Sequence, residues 1–174
     1  MDVTGYHGTD KSKAMKIMRT EFKPGKNSGW LGNGIYFFEN NMNLALRFID
    51  KDVDFINRAV ISARIATSKS RVLDITQVGS IGLDEFHVHR EHVIDQVGAE
   101  NVRIRTKQRH LDAFVLNDLC RRRGYYAVRA QTYTYSTRDK RFKLSSRFPN
   151  GIELCVKNAS IISNKQLIDH ECAV

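Results

Sequence analysis

A single carboxylate interrupts an apolar run near the C-terminal end of the sequence. The run reads Ile152-Glu153-Leu154-Cys155-Val156. Burying an ionised carboxylate without a partner costs free energy, so Glu153 in this setting is typical of a side chain that faces a cleft. Strand alternation could instead point it to solvent. Glu153 is therefore the first candidate for a residue that takes part in chemistry.

Two earlier segments also carry side chains suited to ligand binding. One reads Tyr6-His7-Gly8-Thr9, at the end of the first predicted strand, and the other reads Gly32-Asn33-Gly34-Ile35-Tyr36-Phe37. A histidine beside a glycine turn can be purely structural, and Tyr36 could be a core aromatic residue. The order of the three segments along the chain is more informative than any one of them.

In this order the three segments resemble the His-Tyr-Glu branch of the ADP-ribosyltransferase superfamily, which includes diphtheria toxin and the poly(ADP-ribose) polymerases. The resemblance covers nearly the whole chain. It implies one catalytic domain over residues 1–174. The implied fold is α+β, with two facing, mostly antiparallel sheets, an NAD⁺ cleft between them, and helices between and around them. The implied reaction is transfer of one ADP-ribose unit from NAD⁺, which acts as co-substrate.

The same resemblance assigns roles to individual residues. His7 would hydrogen-bond the adenosine ribose, the backbone of Gly8 would pair with the nicotinamide amide, and Tyr36 would stack on the nicotinamide ring. Glu153 would hydrogen-bond the nicotinamide ribose and stabilise positive charge as the glycosidic bond breaks. The implied NAD⁺ site comprises His7, Gly8, Thr9, Gly34, Tyr36, Asn43, Ala45 and Phe48, and the catalytic residues are His7, Tyr36 and Glu153.

Two departures from the superfamily pattern restrict these assignments. Many relatives carry a serine and a second stacking tyrosine on the helix after the Tyr36 strand, where this sequence offers Asn43 and Phe48. Arginine-modifying relatives have a second glutamate two residues before the catalytic one, and that position here is Gly151. Transfer to arginine is therefore disfavoured.

The positive charge of the chain is concentrated in one quarter of its length. Residues 103–147 contain 13 lysines and arginines against three acids, whereas the remainder carries 15 basic and 16 acidic residues. In the superfamily the loop before the glutamate strand contacts the acceptor, and here that loop spans about Gln131–Gly151. Cations interleaved with aromatic rings suit single-stranded nucleic acid. The predicted acceptor site comprises Arg121, Arg122, Arg123, Tyr133, Tyr135, Arg138, Lys140, Arg141 and Lys143.

That acceptor prediction favours RNA, and it leaves DNA, protein and small-molecule acceptors open. The arginine triplet could equally serve the negative end of the helix dipole, and a basic surface can be solvated without a partner. By similarity to small bacterial members of the superfamily, the chain is expected to be a toxin or phage-defence effector with an inhibitor (antitoxin) partner. The rival functions are an NAD-dependent RNA 2′-phosphotransferase and a catalytically inactive nucleic-acid-binding module.

Composition and periodicity predict the elements that position these residues. Strands are expected at Asp2–Tyr6, Ile35–Phe38, Ala59–Ala66, Arg71–Asp74, Tyr125–Arg129, Ile152–Val156 and Ala159–Ser163. Helices are expected after Thr9 or Asp10, after Asn40-Asn41, and over Leu83–Val97 and Leu111–Arg123, the last ending at Gly124. Strands at both ends and helices in the middle indicate an α+β fold.

Several classes of protein are disfavoured by the same sequence. No apolar run reaches the roughly 20 residues of a membrane helix, and the first residues do not resemble a secretory signal. The unclustered Cys120, Cys155 and Cys172 are typical of reduced thiols in a cytoplasmic protein. The three histidines of Phe86–His92 do not share one helical face, so no metal site is expected. The segment Gly29–Gly34 lacks the preceding strand and following helix of a dinucleotide-binding fingerprint.

Overall fold

One seven-stranded mixed sheet organises the chain. The structure, a computed structural model, describes residues 1–49, 53–99 and 108–168. The sheet has the order β4-β5-β6-β2-β1-β3-β7. Its strands are β1 (Asp2–Asp10), β2 (Ile35–Glu39), β3 (Arg58–Ala66), β4 (Val72–Asp74), β5 (Ala127–Thr132), β6 (Gly151–Val156) and β7 (Ile162–Ile168).

Five α-helices are present in the described part of the chain. They are α1 (Lys11–Arg19), α2 (Met42–Ile49), α3 (Ile81–Ala99), α4 (Gln108–Arg123) and α5 (Thr137–Phe142). Short 3₁₀ turns occupy Phe55–Asn57, Lys69–Arg71 and Ala159–Ile161. The predicted starts of the first two helices and the predicted end of the fourth are confirmed by their caps, whereas the fourth helix starts at Gln108 and not at Leu111. Asp10 Oδ1 accepts from the Lys13 amide, Asn41 Oδ1 accepts from the Leu44 amide, and Gly124 has φ +70° after α4.

The α+β class is confirmed, because only β4 and β5 pair in parallel and every other described strand pair is antiparallel. The expectation of two separate facing sheets is not met by the hydrogen-bond pattern. Strand β2 pairs with β6 on one side and with β1 on the other, which joins all seven strands into one sheet. The β1–β2 pairing is short, however, and this matters for the site described below.

Both faces of the sheet are covered over much of its area. One apolar cluster includes Phe22, Phe37, Ile61 and Leu154, and α1 packs near it. On the other face one cluster lies under α3 and α4, and another lies under α2. Double coverage explains why β3 lacks a polar face: six of its nine residues, 59–63 and 65, are buried.

Two parts of the fold differ from the sequence-based expectation. The segment between β5 and β6 was expected to be loop throughout, but it contains α5, which Ser136 and Asp139 begin with a capping box. The last strand was expected at Ala159–Ser163, but residues 159–161 form a 3₁₀ turn and β7 begins at Ile162. In the described residues no helix combines the length and apolar composition needed to cross a membrane.

Candidate active site

Strands β1 and β2 separate soon after they meet. They pair only at Gly5↔Glu39 and Tyr6↔Phe38, whereas β1 stays paired with β3 along its whole length, to Asp10. Beyond Tyr6 the two strands enclose a cavity of about 630 Å³. This volume lies within the roughly 300–1,000 Å³ that is usual for small-molecule sites. The divergence of two neighbouring strands therefore creates the candidate active site.

The main chain of Gly8 faces this gap. The Thr4 carbonyl accepts from the Asn40 amide on the β2 side, and the N–H and C=O of alternate residues in a strand point to the same side. Gly8 is four residues further along a regular ladder, so its N–H and C=O also point to the β2 side, where no strand pairs with it. A side chain at Gly8 would collide with the carbonyl oxygen of Ala45. The glycine is thus required by the approach of α2, a reason that the sequence did not reveal.

His7 connects the two diverging strands. Its Nδ1 lies 2.8 Å from the carbonyl oxygen of Tyr36. Because a carbonyl can only accept, Nδ1 carries the proton and Nε2 is left as an acceptor. The ring packs against Phe22 and Phe37 at centroid distances of 5.4 Å and 5.7 Å. Burial lowers the pKa of His7 below its ordinary value of 6.5, so the imidazole is neutral at pH 7.

Tyr36 has a second task besides lining the cavity. Its hydroxyl donates to the Gly32 carbonyl at 2.7 Å and accepts from the Leu31 amide at 2.9 Å. Burial raises the pKa of this hydroxyl, so it stays protonated as a donor. Tyr36 therefore lines the cavity while its hydroxyl holds the segment Gly29–Gly34, which we call the glycine loop.

Glu153 lies on β6 opposite Phe38, on the same face of the sheet as Tyr36. The residue is only 7% exposed, and its carboxylate lines the cavity. Burial raises the pKa of Glu153, and side-chain hydrogen bonds from Trp30 and Thr132 partly offset that rise. The donor from the glycine loop is the indole Nε1–H of Trp30, which binds Glu153 Oε2. The structure therefore supports the expectation that this carboxylate faces a cleft.

Trp30 was missed as a functional residue, although it is the only tryptophan in the sequence. The glycine loop that carries it is anchored to β6 and α4. Lys157 Nζ donates to the Leu31 carbonyl at 2.7 Å, the Asn33 carbonyl at 2.8 Å and Asn117 Oδ1 at 3.0 Å. Gly32, with φ +87°, adopts the left-handed conformation that favours glycine. Nothing in the local sequence links residues 30 and 153.

Six of the predicted site residues line the cavity, and three do not. The lining residues are His7, Gly8, Gly34, Tyr36, Phe48 and Glu153. Asn43 is exposed on α2 and lies outside the lining, so the prediction that it replaces the serine of relatives is not supported. Thr9 and Ala45 are buried, and Ala45 meets Gly8 through its backbone. These two residues are buried behind the lining of the cavity.

The arginine triplet does not lie with the rest of the predicted acceptor site. Arg121 and Arg122 pair with Asp118, and Arg123 pairs with Glu85 on α3. The hydrogen bonds from Arg122 and Arg121 lower the pKa of Asp118 to about 2, with the largest effect from Arg122. The triplet ends α4 just before β5, whereas the predicted acceptor loop follows β5. The strand separates the two groups by roughly 16 Å at about 3.3 Å per residue. Arg121 and Arg122 thus pair within α4, and Arg123 joins α4 to α3.

The segment 133–150 between β5 and β6, which we call the acceptor loop, is ordered by its own polar contacts. Tyr133 donates to Asp139 at 2.8 Å, and Asn150 exchanges two 2.9 Å hydrogen bonds with the backbone of Thr134. Tyr133 and Tyr135 pack edge to face with their centroids 5.3 Å apart. The exposed side chains include the predicted Tyr135, Arg138, Lys140, Arg141 and Lys143, together with Phe142, Arg147 and Phe148.

A larger depression of about 1140 Å³ lies between α3 and α4, and we do not assign the chemistry to it. It is shallow, and its polar walls are occupied by contacts such as the His89–Asp118 hydrogen bond, 2.9 Å, and the Arg123–Glu85 ion pair, 2.7 Å. Among the described residues no group of three or more His, Cys, Asp and Glu side chains is arranged to hold a metal ion. Cys120 and Cys155 are buried free thiols; Cys172, Arg103, Arg105 and Lys107 lie outside the described residues.

Comparison with known proteins adds one relative. The chain is 29% identical over 192 residues to an uncharacterized protein of Methanocaldococcus jannaschii. The match covers 97% of this chain and 88% of the archaeal protein. No protein-family model matches the chain, and no solved structure matches it. The relative brings no activity with it, so the function has to be inferred from the cavity.

The cavity combines four kinds of group. It offers an unpaired strand edge at Gly8, a neutral imidazole at His7, aromatic surfaces at Tyr36 and Phe48, and a buried carboxylate at Glu153. The strand edge can hydrogen-bond an amide, the rings can stack on a planar heterocycle, and the imidazole can hydrogen-bond a hydroxyl. The carboxylate is placed to stabilise positive charge that develops on a bound ligand.

Proposed function

We propose that this chain transfers a single ADP-ribose unit from NAD⁺ to an acceptor, with RNA as the favoured acceptor class. The observation that carries the proposal is the convergence of His7, Tyr36 and Glu153 on one cavity. These residues come from three different strands and lie far apart in the sequence. They were selected on sequence grounds alone, and a chance resemblance gives no reason for them to meet.

The groups around the cavity fit the parts of NAD⁺. The free N–H and C=O of Gly8 complement a carboxamide, which carries one acceptor and a donor pair. Tyr36 offers its ring to the nicotinamide, and Nε2 of His7 can accept from a ribose hydroxyl. The gap between β1 and β2 supplies the cleft that the superfamily places between two sheets, here formed between two parts of one sheet. All of these features favour NAD⁺ as the donor of ADP-ribose.

The reaction breaks the bond between the ribose C1′ and the nicotinamide nitrogen. The electron pair of that bond leaves with the ring, whose positive charge is neutralised, and the ribose acquires oxocarbenium character. Glu153 would stabilise this charge and accept a hydrogen bond from a ribose hydroxyl. A nucleophilic oxygen or nitrogen of the acceptor then bonds to C1′ and releases one proton. No metal is needed for any of these steps.

The acceptor loop supports a nucleic acid acceptor. It leads directly into β6, so its exposed side chains lie on the chain segment immediately before Glu153. Arg138, Arg141 and Lys143 are exposed, and no ion pair with a carboxylate involves them in the described part of the chain. Cations available for phosphates beside exposed rings available for bases are what a single-stranded nucleic acid site requires. A role as a toxin or phage-defence effector with an inhibitor partner stays a prediction.

The test is to incubate the purified protein with NAD⁺ labelled in the adenosine part, in separate mixtures with total RNA, single-stranded DNA and a protein lysate. Glu153→Gln is the inactive variant. Glu91→Gln is its matched control, because Glu91 is an exposed glutamate on α3. Label in RNA or DNA that is lost only in Glu153→Gln would support both the reaction and the acceptor class.

Other outcomes select the alternatives. Label in protein or in small molecules alone would keep the reaction and reject the role given to the acceptor loop. Removal of a 2′-phosphate from RNA that survives Glu153→Gln would favour an RNA 2′-phosphotransferase. RNA binding without release of nicotinamide would leave an inactive binding module and refute the proposal.

A further inference from the structure

The hydrogen bond between Trp30 and Glu153 has a fixed donor and a fixed acceptor. The indole has one N–H donor and no acceptor, so it can only donate to the carboxylate. It binds Oε2, and Thr132 is a second side-chain donor to this carboxylate, whose two oxygens can accept further hydrogen bonds from a ligand. Trp30 is 39% exposed and lines the cavity beside Glu153. The indole therefore touches both the candidate catalytic group and the space in which a ligand would lie.

The backbone on both sides of Trp30 is held in place. The Gly29 carbonyl accepts from the Gly32 amide at 3.0 Å. The Leu31 amide donates to the Tyr36 hydroxyl at 2.9 Å, and the Leu31 carbonyl accepts from Lys157 at 2.7 Å. The Leu31 side chain is fully buried and acts as an apolar anchor. Because these contacts hold the turn on both sides of Trp30, they favour a single orientation of the indole ring.

We infer that Trp30 is a positioning residue, which holds the Glu153 carboxylate in the orientation that faces the ribose hydroxyl and the developing positive charge. The inference rests on the proposed function. A carboxylate that is oriented before the substrate arrives needs no reorganisation in the transition state, and such preorganisation is a large part of enzymatic rate enhancement. Neither the superfamily resemblance nor the local sequence assigns this role to Trp30.

The first measurement reads the contact without NAD⁺. Because Trp30 is the only tryptophan, intrinsic fluorescence excited at the indole band reports on this one side chain. Ionisation of Glu153 changes the charge next to the indole N–H, so emission should change as Glu153 titrates. The other titratable groups near Glu153 are Tyr36 and Cys155, and Tyr6, His7 and Lys23 also line the cavity. Glu153→Gln should abolish the transition, whereas His7→Gln should leave it in place.

The second measurement removes only the N–H donor. Trp30 is replaced with 3-benzothienylalanine, which has the same shape and carries sulfur in place of the indole N–H, and Trp30→Phe serves as a second variant. A hydrogen bond to a charged group corresponds to about ten- to a hundredfold in rate. We expect kcat to fall by about that factor, with little change in KM for NAD⁺. The acid limb of the kcat profile should move to higher pH, because the lost donor normally lowers the pKa of Glu153.

The outcomes distinguish the positioning role of Trp30 from the proposed function. If the fluorescence transition persists in Glu153→Gln, the contact does not exist in solution and the inference is wrong. If wild-type protein consumes NAD⁺ but the benzothienyl variant keeps its kcat and its acid limb, Trp30 has no positioning role while the proposed function stands. If the fluorescence depends on Glu153 but wild-type protein never consumes NAD⁺, the proposed function fails and the positioning role fails with it. A lower kcat without movement of the acid limb would identify Trp30 as structural and would also overturn the inference.

Discussion

Replacing Glu153 with glutamine is expected to change the rate of reaction and the stability of the fold in opposite directions. Glutamine has the same shape, and its carbonyl oxygen can still accept from Trp30, so the walls of the cavity should be preserved. If the proposed function holds, loss of the negative charge would remove the stabilisation of the oxocarbenium-like transition state. By analogy with the deletion of one group from an oxyanion hole, kcat should fall by on the order of 10²–10³.

The same substitution should raise the free energy of unfolding at neutral pH. Burial raises the pKa of Glu153 in the folded protein, so the folded state holds this proton more tightly than the unfolded chain does. Wild-type protein therefore loses stability as pH rises from the unfolded pKa, about 4.3, through the raised folded pKa. The loss amounts to about 1.4 kcal/mol for each pKa unit that separates the two states. The glutamine variant has no such loss.

Denaturant unfolding of both proteins between pH 4 and pH 8 checks this reasoning, with Glu91→Gln as a control for the loss of a surface charge. The difference in the free energy of unfolding should be small at pH 4 and should grow in favour of Glu153→Gln as pH rises. If the difference stays constant with pH, or grows in favour of wild type, Glu153 is not a buried carboxylate with a raised pKa. The account of the cavity would then have to be abandoned.

Three further perturbations address other parts of the site. Gly8→Ala places a methyl group against the Ala45 carbonyl and should lower the free energy of unfolding by about 1–3 kcal/mol. It should also lower the affinity for NAD⁺. Unchanged thermal unfolding would contradict the packing described for α2. Lys157→Met removes the donor to the Leu31 and Asn33 carbonyls. It should speed tryptic cleavage after Lys26 and lower kcat. An unchanged cleavage rate would show that the glycine loop is held by other contacts. Replacing Arg138, Arg141 and Lys143 with glutamine should weaken RNA binding at all sequences and reduce the slope of log affinity against log salt by roughly 2. Glutamine at Arg121, Arg122 and Arg123 removes the same charge and should leave that slope unchanged, and equal effects of the two triple variants would refute the assignment of the acceptor loop.

The sequence was sufficient to predict most of the elements because their signals are local. Asp10 and Asn41 are caps that act within three residues, and Gly124 follows its helix directly. The carboxylate of Glu153 could be predicted to face a cleft because its apolar neighbours left few other solutions. In each of these cases the physical cause lies within a few residues of the effect.

Contacts between distant segments could not be predicted in the same way. The indole of Trp30 meets Glu153 only because Tyr36 and Lys157 hold the intervening turn against β6. Arg123 belonged by composition to the basic region, but its partner Glu85 is set by how α3 packs on α4. Asn43 occupies a suggestive position in the sequence, yet the rotation of α2 that buries Leu44 leaves it exposed. Tertiary packing decided these three positions.

The parting of β1 from β2 has a mechanical consequence. Past Tyr6 the ladder between these strands stops in the described residues, and the His7 ring, which meets the Tyr36 carbonyl, still links the two strands there. A ligand amide bound to the Gly8 main chain would act as a missing rung and would fasten β1, β3 and β7 to the other four strands. Occupancy should then slow amide hydrogen exchange on both sides of the seam, far beyond the atoms the ligand touches. The proposed binding site lies where the β1–β2 ladder ends, so a bound ligand would stabilise the sheet at the position where the two strands are not paired.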